Sequence, residues 1–325
     1  MCLNWRKRRK ANILNTMQQY SYHAFFMQIS RSAVAIAIVL LAGFGAGCAK
    51  NDEAPPVASV SLTTNSTKVA LGSPVELTYK FEVSPGARID GDYRVFVHVN
   101  RDDGTTIWND DHELPPGQPT SKWQPGQVIE YTRTKFIPSF SYVGKATIQM
   151  GLYRDNQRLP LKGPDPAARA SLERSYKVAT LDLLPRSENV QVIRLNGWHK
   201  GEYAAEDAGI DWQWMQKQAT LSFRNNPHRD VLFYLEFDTR ADLFQAKPQT
   251  VTVYAGNEAV ATFTVPEPGT HLKKIPITAA QLGTGEMAEV RIDVDQTFVP
   301  AKLPGGSKDQ RELGLRVYHA FIEPR

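Results

Sequence analysis

The chain has 325 residues, 42% of them apolar and 22% charged, with 21 Pro and 22 Gly. This balance excludes a disordered or collagen-like chain and supplies enough apolar residues for one or two buried cores. The net charge of +4 is uneven, because six of the 38 Lys and Arg (Arg6, Lys7, Arg8, Arg9, Lys10 and Arg31) fall within residues 1–47, which hold no acid. From residue 48 onward 32 basic residues face 34 acidic ones, with no dense cationic cluster to neutralise a row of phosphates. Nucleic acid is therefore not an expected partner.

Residues 33–47, AVAIAIVLLAGFGAG, are too short for a comfortable membrane span and run straight into Cys48 and the polar AKNDEAPP. They read as a signal peptide over residues 1–47: Arg31 supplies the positive region, and Gly45, Ala46 and Gly47 are the small residues a peptidase needs before its cut. The RKRRK run lies far upstream, so Met27 or Met17 is an alternative start. Ala46, Gly47 and Cys48 resemble a bacterial lipoprotein signal, although Gly45 stands where that signal usually has an aliphatic residue. The resemblance implies a diacylglyceryl thioether and further acylation at Cys48, and so a membrane partner through an N-terminal lipid. It also implies an envelope location, the outer membrane in an organism that has two, since Ala49 rather than Asp follows the cysteine. Cys2 lies in the leader, which leaves Cys48 no internal disulfide partner. The alternative is an ordinary secretory leader with a stray cysteine.

Residues 48–58 are polar and Pro-rich, the composition of a tether. Val75, Leu77, Tyr79, Phe81 and Val83 then alternate with Glu76, Thr78, Lys80 and Glu82, the period of a half-buried strand. Further strands are predicted at 95–99, 105–108, 128–136 and 146–153, separated by Pro-Gly and Asp-Gly turns. Asp103-Gly104 signals a hairpin through residues that tolerate positive φ. The stretch 163–176 breaks the rhythm, TLDLL ends the block, and a linker is expected near 185–189. A second block holds strands at 219–223, 231–237, 250–255, 259–265, 289–294 and 313–322. Short helices are expected only in 166–174 and 278–282, and no 20- to 50-residue repeat occurs. The fold class is all-β, two tandem antiparallel β-sandwich domains over 59–185 and 186–325.

Within 95–161, Phe96 and His98, Asp103-Gly104, Asp111, residues 119–126 and residues 151–160 resemble a soluble β-sandwich appended to membrane glycosyltransferases of the mannosyl and aminoarabinose type. GWHKGE at 197–202, WQW at 212–214, FVPA at 298–301 and DQRELG at 309–314 resemble an accessory sandwich of surface-polysaccharide machinery. The catalytic multi-spanning part of such transferases has no counterpart here. The resemblance implies a carbohydrate context without transferase activity.

The residues carry no nucleophile elbow, zinc helix, phosphate loop or Cys/His ligand ladder, so no catalytic residue, metal or cofactor is expected. Asp110, Asp111 and His112, and likewise Asp293 and Asp295, read as solvated polar groups rather than as cation ligands, which need several converging oxygens. Glu202, Glu206, Asp207 and Asp211 share one loop, which is weak ground for the rigidly separated carboxylate pair of a glycosidase. Asp309 and Arg311 read as an ion pair. Trp198, Trp212 and Trp214 fall within seventeen residues, and with Glu202 they form the candidate ligand-binding set. They are either a platform for stacking on a sugar or part of a core. The expected function is a lipid-anchored, non-enzymatic envelope protein that binds or handles a surface glycan. The alternatives are an assembly lipoprotein that binds a protein partner along a sheet edge and, more remotely, a carbohydrate-active enzyme.

Overall fold

The computed structural model describes residues 54–139, 142–164, 174–205, 210–226, 228–305 and 307–325. The leader, Cys48, residues 166–173 of the first helix candidate, and Glu206 and Asp207 lie outside the described residues.

Ten strands occupy the first half. They are β1 (Ala58–Thr64), β2 (Lys68–Ala70), β3 (Pro74–Val83), β4 (Arg94–Asn100), β5 (Thr106–Asn109), β6 (Val128–Phe136), β7 (Gly144–Arg154), β8 (Gln157–Arg158), β9 (Leu161–Lys162) and β10 (Tyr176–Leu184). One sheet runs β6-β3-β1-β9; the other runs β2-β10-β7-β4-β5, with β8 on β7. The alternation in β3 is realised in full, for Val75, Leu77, Tyr79 and Phe81 are each wholly buried and meet Val95, Val97, Ile148 and Met150 of the facing sheet. Period-2 sequence thus becomes a core between two sheets, the all-β sandwich expected.

The second half holds β11 (Val192–Arg194), β12 (Glu202–Tyr203), β13 (Asp211–Trp214), β14 (Gln218–Arg224), β15 (Val231–Asp238), β16 (Gln249–Ala255), β17 (Glu258–Val265), β18 (His271–Ile277), β19 (Met287–Val294) and β20 (Arg316–Pro324). Sheets β11-β14-β19-β16-β17 and β12-β13-β20-β15-β18 close over a separate core that includes Leu221, Phe233, Phe237, Val253, Ile292 and Val317. The helix expected at 278–282 is α1 (Ala279–Leu282). Thr278 and Gln281 cap each other's backbone at its start. None of the described helices is long and apolar enough to cross a membrane.

Two local differences from the sequence reading have physical causes. The Asp103-Gly104 hairpin joins β4 to β5, but only Gly104 takes positive φ, at 82°. Asp103 instead uses its carboxylate to accept the Thr105 N–H at 2.9 Å, and a longer loop results in place of a two-residue turn. Strand β18, HLKKIPI, alternates only at its end, where buried Ile275 and Ile277 flank Pro276. It is an edge strand, where a missing N–H and two lysines are tolerated.

The two sheet pairs touch through Phe136. Its ring stacks on His319 with centroids 4.0 Å apart and meets Tyr234 and Phe321 edge-on at 6.3 and 6.4 Å. A Lys274–Glu76 ion pair at 2.5 Å flanks this contact.

Candidate functional site

The four segments GWHKGE, WQW, FVPA and DQRELG, far apart in sequence, meet at one corner of the β12-β13-β20-β15-β18 sheet. Gly197, at φ 82°, admits the chain there because a Cβ would fall 1.8 Å from the Gln218 carbonyl oxygen. His199 Nε2 lies 2.7 Å from the Glu312 carbonyl oxygen, and Glu202 accepts from Arg311 at 2.6 Å. The Trp214 ring meets Phe298 edge-on at 5.7 Å, and Phe298 and Leu313 pair through their backbones.

The tryptophans are neither an open platform nor a closed core, since all three are half-buried. Trp198 packs on the core and donates its indole N–H to the Thr220 carbonyl at 2.9 Å. Trp214 packs with Phe244, Phe298 and Leu313. Trp212 and Trp214 do share one face of β13, but a protein cation already occupies it: the Arg316 guanidinium lies 5.2, 5.7 and 5.3 Å from the Trp212, Trp214 and Tyr318 rings. Asp238 fixes Arg316 through a two-pronged pair and accepts the Tyr318 hydroxyl at 2.9 Å. Burial, then the Asp238 carboxylate, push the Tyr318 hydroxyl up to about 12, so it stays a donor at physiological pH. The Trp212 indole N–H is shielded and has no acceptor among the described residues.

The remaining candidates are placed as follows. Glu202 pairs across from Trp212 and Asp211 across from Tyr203, so strand alternation sends the two carboxylates to opposite faces of the β12–β13 hairpin. Asp309 and Arg311 form the expected ion pair at 2.7 Å, extended by Glu202. Asp293 bonds Gln218 and Arg291, and Asp295 accepts the Thr250 N–H and pairs with Lys247. Asp110 and His112 are not solvated as the sequence reading held; they are 3% and 6% exposed. Asp110 accepts two bonds from Arg133 at 2.9 Å and one from Tyr79 at 3.0 Å, with Lys135 at 3.2 Å. Asp111 turns away to accept the Val97 N–H at 3.0 Å. Among the described residues no group of three or more His, Cys, Asp or Glu converges as a metal site.

Beside the tryptophan corner, a cleft of about 700 Å³ opens between the two sheet pairs. Its walls come from residues 137–139 after β6, from residues 186–194 between the pairs, and from Asp211 and residues 318–321. Trp212 buttresses this wall, its ring meeting that of Tyr318 edge-on at 6.3 Å. The corner thus holds an aromatic residue, its hydroxyl hydrogen engaged by Asp238, at the cleft surface. Sequence reading missed Arg186, Gln191, Arg194 and Tyr318 as site residues. The linker that supplies the first two has no meaning as a wall until residues 137–139 and 318–321 are folded opposite it.

No family model matches the chain, and no curated protein does. Three solved structures match the chain at low similarity. The alkylpurine DNA glycosylase AlkC of Pseudomonas fluorescens is 15% identical over 39% of this chain and 30% of its own length, with a TM-score of 0.26. A β-glucuronidase of Bacteroides uniformis is 12% identical over 83% of this chain and 30% of its own, TM-score 0.27. A carbohydrate-binding module of the β-sandwich superfamily is 12% identical over 82% of this chain and 99% of its own, TM-score 0.23. The chain spans less than a third of the length of the two enzymes, and at these scores the likeness extends to no ligand, residue or activity. What stands is the fold class: an all-β sandwich-type protein.

Proposed function

We propose that this protein is a lipid-anchored, non-enzymatic envelope protein that binds a saccharide in the cleft between its sheet pairs. The cleft itself carries the reading. About 700 Å³ is a volume suited to one or two sugar rings. Its walls combine the aromatic residues Tyr318 and Phe321 with the polar residues Ser139, Ser187 and Gln191. Flat rings take the apolar face of a pyranose while short polar groups bond its hydroxyls. The Trp212–Arg316–Asp238 assembly acts through Tyr318, which it positions. Lipidation at Cys48 would hold this cleft at a membrane surface.

A glycan array on the purified protein tests the reading. Saccharide binding that falls in Tyr318→Ala and Gln191→Ala, each still folded with a cooperative melt, supports it; absence of binding to any saccharide overturns it. Fatty-acid labelling tests the anchor, with label expected in the parent and none in Cys48→Ser.

One observation favours a second reading, the docking of a protein strand. Strand β11 is a sheet edge, and Ile193 on it and Leu195 just beyond it are each 43% exposed. Capture of an envelope protein that is lost in Ile193→Lys, without any glycan binding, would favour this reading over the first.

A further inference from the structure

The cleft is not electrically neutral. Arg186 and Arg194 both line it, and Asp211 is the one acid among the described residues that do so. Among the described residues neither guanidinium has an ion pair or a side-chain hydrogen bond. Arg186 reaches in from the short helical turn after β10, its Nε near the position a Gly72 side chain would take. Arg194 ends β11 and lies over the Trp198 ring with its guanidinium carbon 5.4 Å from the centroid.

Elsewhere in the molecule several half-buried arginines find carboxylates, although among the described residues exposed Arg88 and Arg229 do not. Arg133 has Asp110, Arg311 has Asp309 and Glu202, and Arg316 has Asp238. The cleft wall instead carries two arginines with no carboxylate bonded to either among the described residues. Although Arg194 touches solvent, the surrounding protein desolvates it, and the Arg186 charge adds to this in pushing its pKa down, against the opposite pull of Asp211. Two like charges in a concave wall cost free energy unless an anion answers them. His319 adds no free cation of its own, because its Nδ1 is 2.6 Å from the Glu236 carboxylate and its ring is covered by Phe136.

We infer that the cleft is selective for an acidic saccharide, with the Arg186 and Arg194 guanidiniums taking the carboxylate of a uronic acid while Tyr318 and Gln191 hold the ring. This rests on the saccharide reading above and names its ligand class. A carboxylate fits better than a phosphate for a reason of charge. Two arginines and Asp211 leave the wall with a net charge near +1, which one carboxylate neutralises; a doubly charged phosphate would leave an excess facing Asp211. The guanidinium forks also match the planar two-oxygen geometry of a carboxylate.

Titration calorimetry on the purified full chain tests this with four probes: a galacturonate trisaccharide, a glucuronate disaccharide, the methyl ester of the first, and inorganic phosphate. The expected result is binding of at least one acidic sugar, weakened about tenfold or more by esterification and by the double variant Arg186→Gln/Arg194→Gln, and reduced by added salt. The melting midpoint of the variant should stay within a few degrees of the parent, since neither arginine has an ion pair or side-chain hydrogen bond to lose and only the Arg194–Trp198 ring contact goes. Equal binding of the acid and its ester, insensitive to the double variant, would overturn the charge selectivity and leave the saccharide reading standing. Binding of phosphate alone, lost in the variant, would overturn the saccharide reading and make the cleft an inorganic-anion site. No binding of any probe would overturn the proposed acidic ligand, and the glycan array then decides the reading beneath it.

Discussion

The two sheet pairs each hold a cluster of charged and aromatic side chains, and the clusters differ in how completely their polar groups are answered. In the first pair Asp110 is 3% exposed and takes bonds from Arg133, Lys135 and Tyr79. His112 beside it bonds the Asp110 carbonyl at 2.5 Å and the Tyr131 hydroxyl at 2.8 Å. Each of these side chains has a partner inside the protein, and none of them lines the cleft described above. In the second pair Arg316 stacks between half-buried rings, Asp238 closes it from one side, the Trp212 N–H is unanswered, and Tyr318 looks out onto the cleft. The difference teaches that ionisable density alone does not mark a site. A closed network is a structural lock, whereas an open one beside a cavity leaves groups available to a ligand.

The largest expected effect breaks the closed network. Asp110→Ala leaves the wholly buried Tyr79 without its acceptor and strips two cations of their shared partner, at about 3 kcal/mol of folding free energy. Arg133 and Lys135 can still reach water, their side chains being 34% and 33% exposed, so the cost should stay below that of a fully buried triad. Chemical denaturation measures it, and a loss under about 1 kcal/mol would show that the lock is not structural.

A smaller effect is expected at the open cluster. Trp212→Ala and Trp214→Ala each remove a half-buried ring, roughly 100 Å² of apolar burial, or about 2 kcal/mol. That lies between the scarcely measurable change of an exposed platform and the 3 to 5 kcal/mol or so of a true core tryptophan. A thermal melt of the two variants reads it, and a cost at either extreme would redraw the corner.

The next expectation concerns pH. Burial, opposed by the backbone bond to Asp110, holds the His112 pKa below its ordinary value of 6.5. Beneath that pH the unfolded chain takes up a proton that the folded chain refuses, so stability falls as pH drops from 7 toward 5. Burial alone would raise the Asp110 carboxyl, but Arg133 and Lys135 outweigh it and hold it below 3.8. Its contribution therefore persists through this window and is lost only at lower pH. Melting midpoints of the parent and His112→Gln between pH 5 and 7 test the assignment; an unchanged slope in the variant would place the proton elsewhere.

The smallest effect belongs to the rim of the corner. Arg311 holds the Asp309 carboxyl down to about 2 through its side chain and backbone N–H, yet both side chains are substantially exposed, at 26% and 35%. Solvent screening therefore limits Asp309→Asn to under about 0.5 kcal/mol by chemical denaturation. A larger loss would mean that the Glu202–Arg311 bond depends on Asp309.

Strand content was determined by the sequence itself, because a two-residue period is a local property. Val75 to Val83 and the 128–136 and 231–237 runs announce a buried face without reference to anything distant. Edge strand β18 was not legible although edge strands β6 and β17 were, since its apolar pattern is confined to Ile275 and Ile277 around Pro276. The clustering of Trp198, Trp212 and Trp214 was visible in one dimension, but their surroundings were not. Arg316 and Phe298, which cover or flank them, lie about a hundred residues away, and only the pairing of β13 with β20 brings Arg316 onto the same face. The same holds for Asp110, whose partners Tyr79, Arg133 and Lys135 stand on strands of the opposite sheet. The cleft is the extreme case. Its walls are drawn from five separate places in the chain, none of which is unusual in composition, and its charge exists only because Arg186 and Arg194 are folded against a surface that offers them no carboxylate of their own but Asp211. Periodicity encodes which side of a strand meets the core; the company a side chain keeps on the other side is set by strands far away in sequence, and that only the tertiary structure decides.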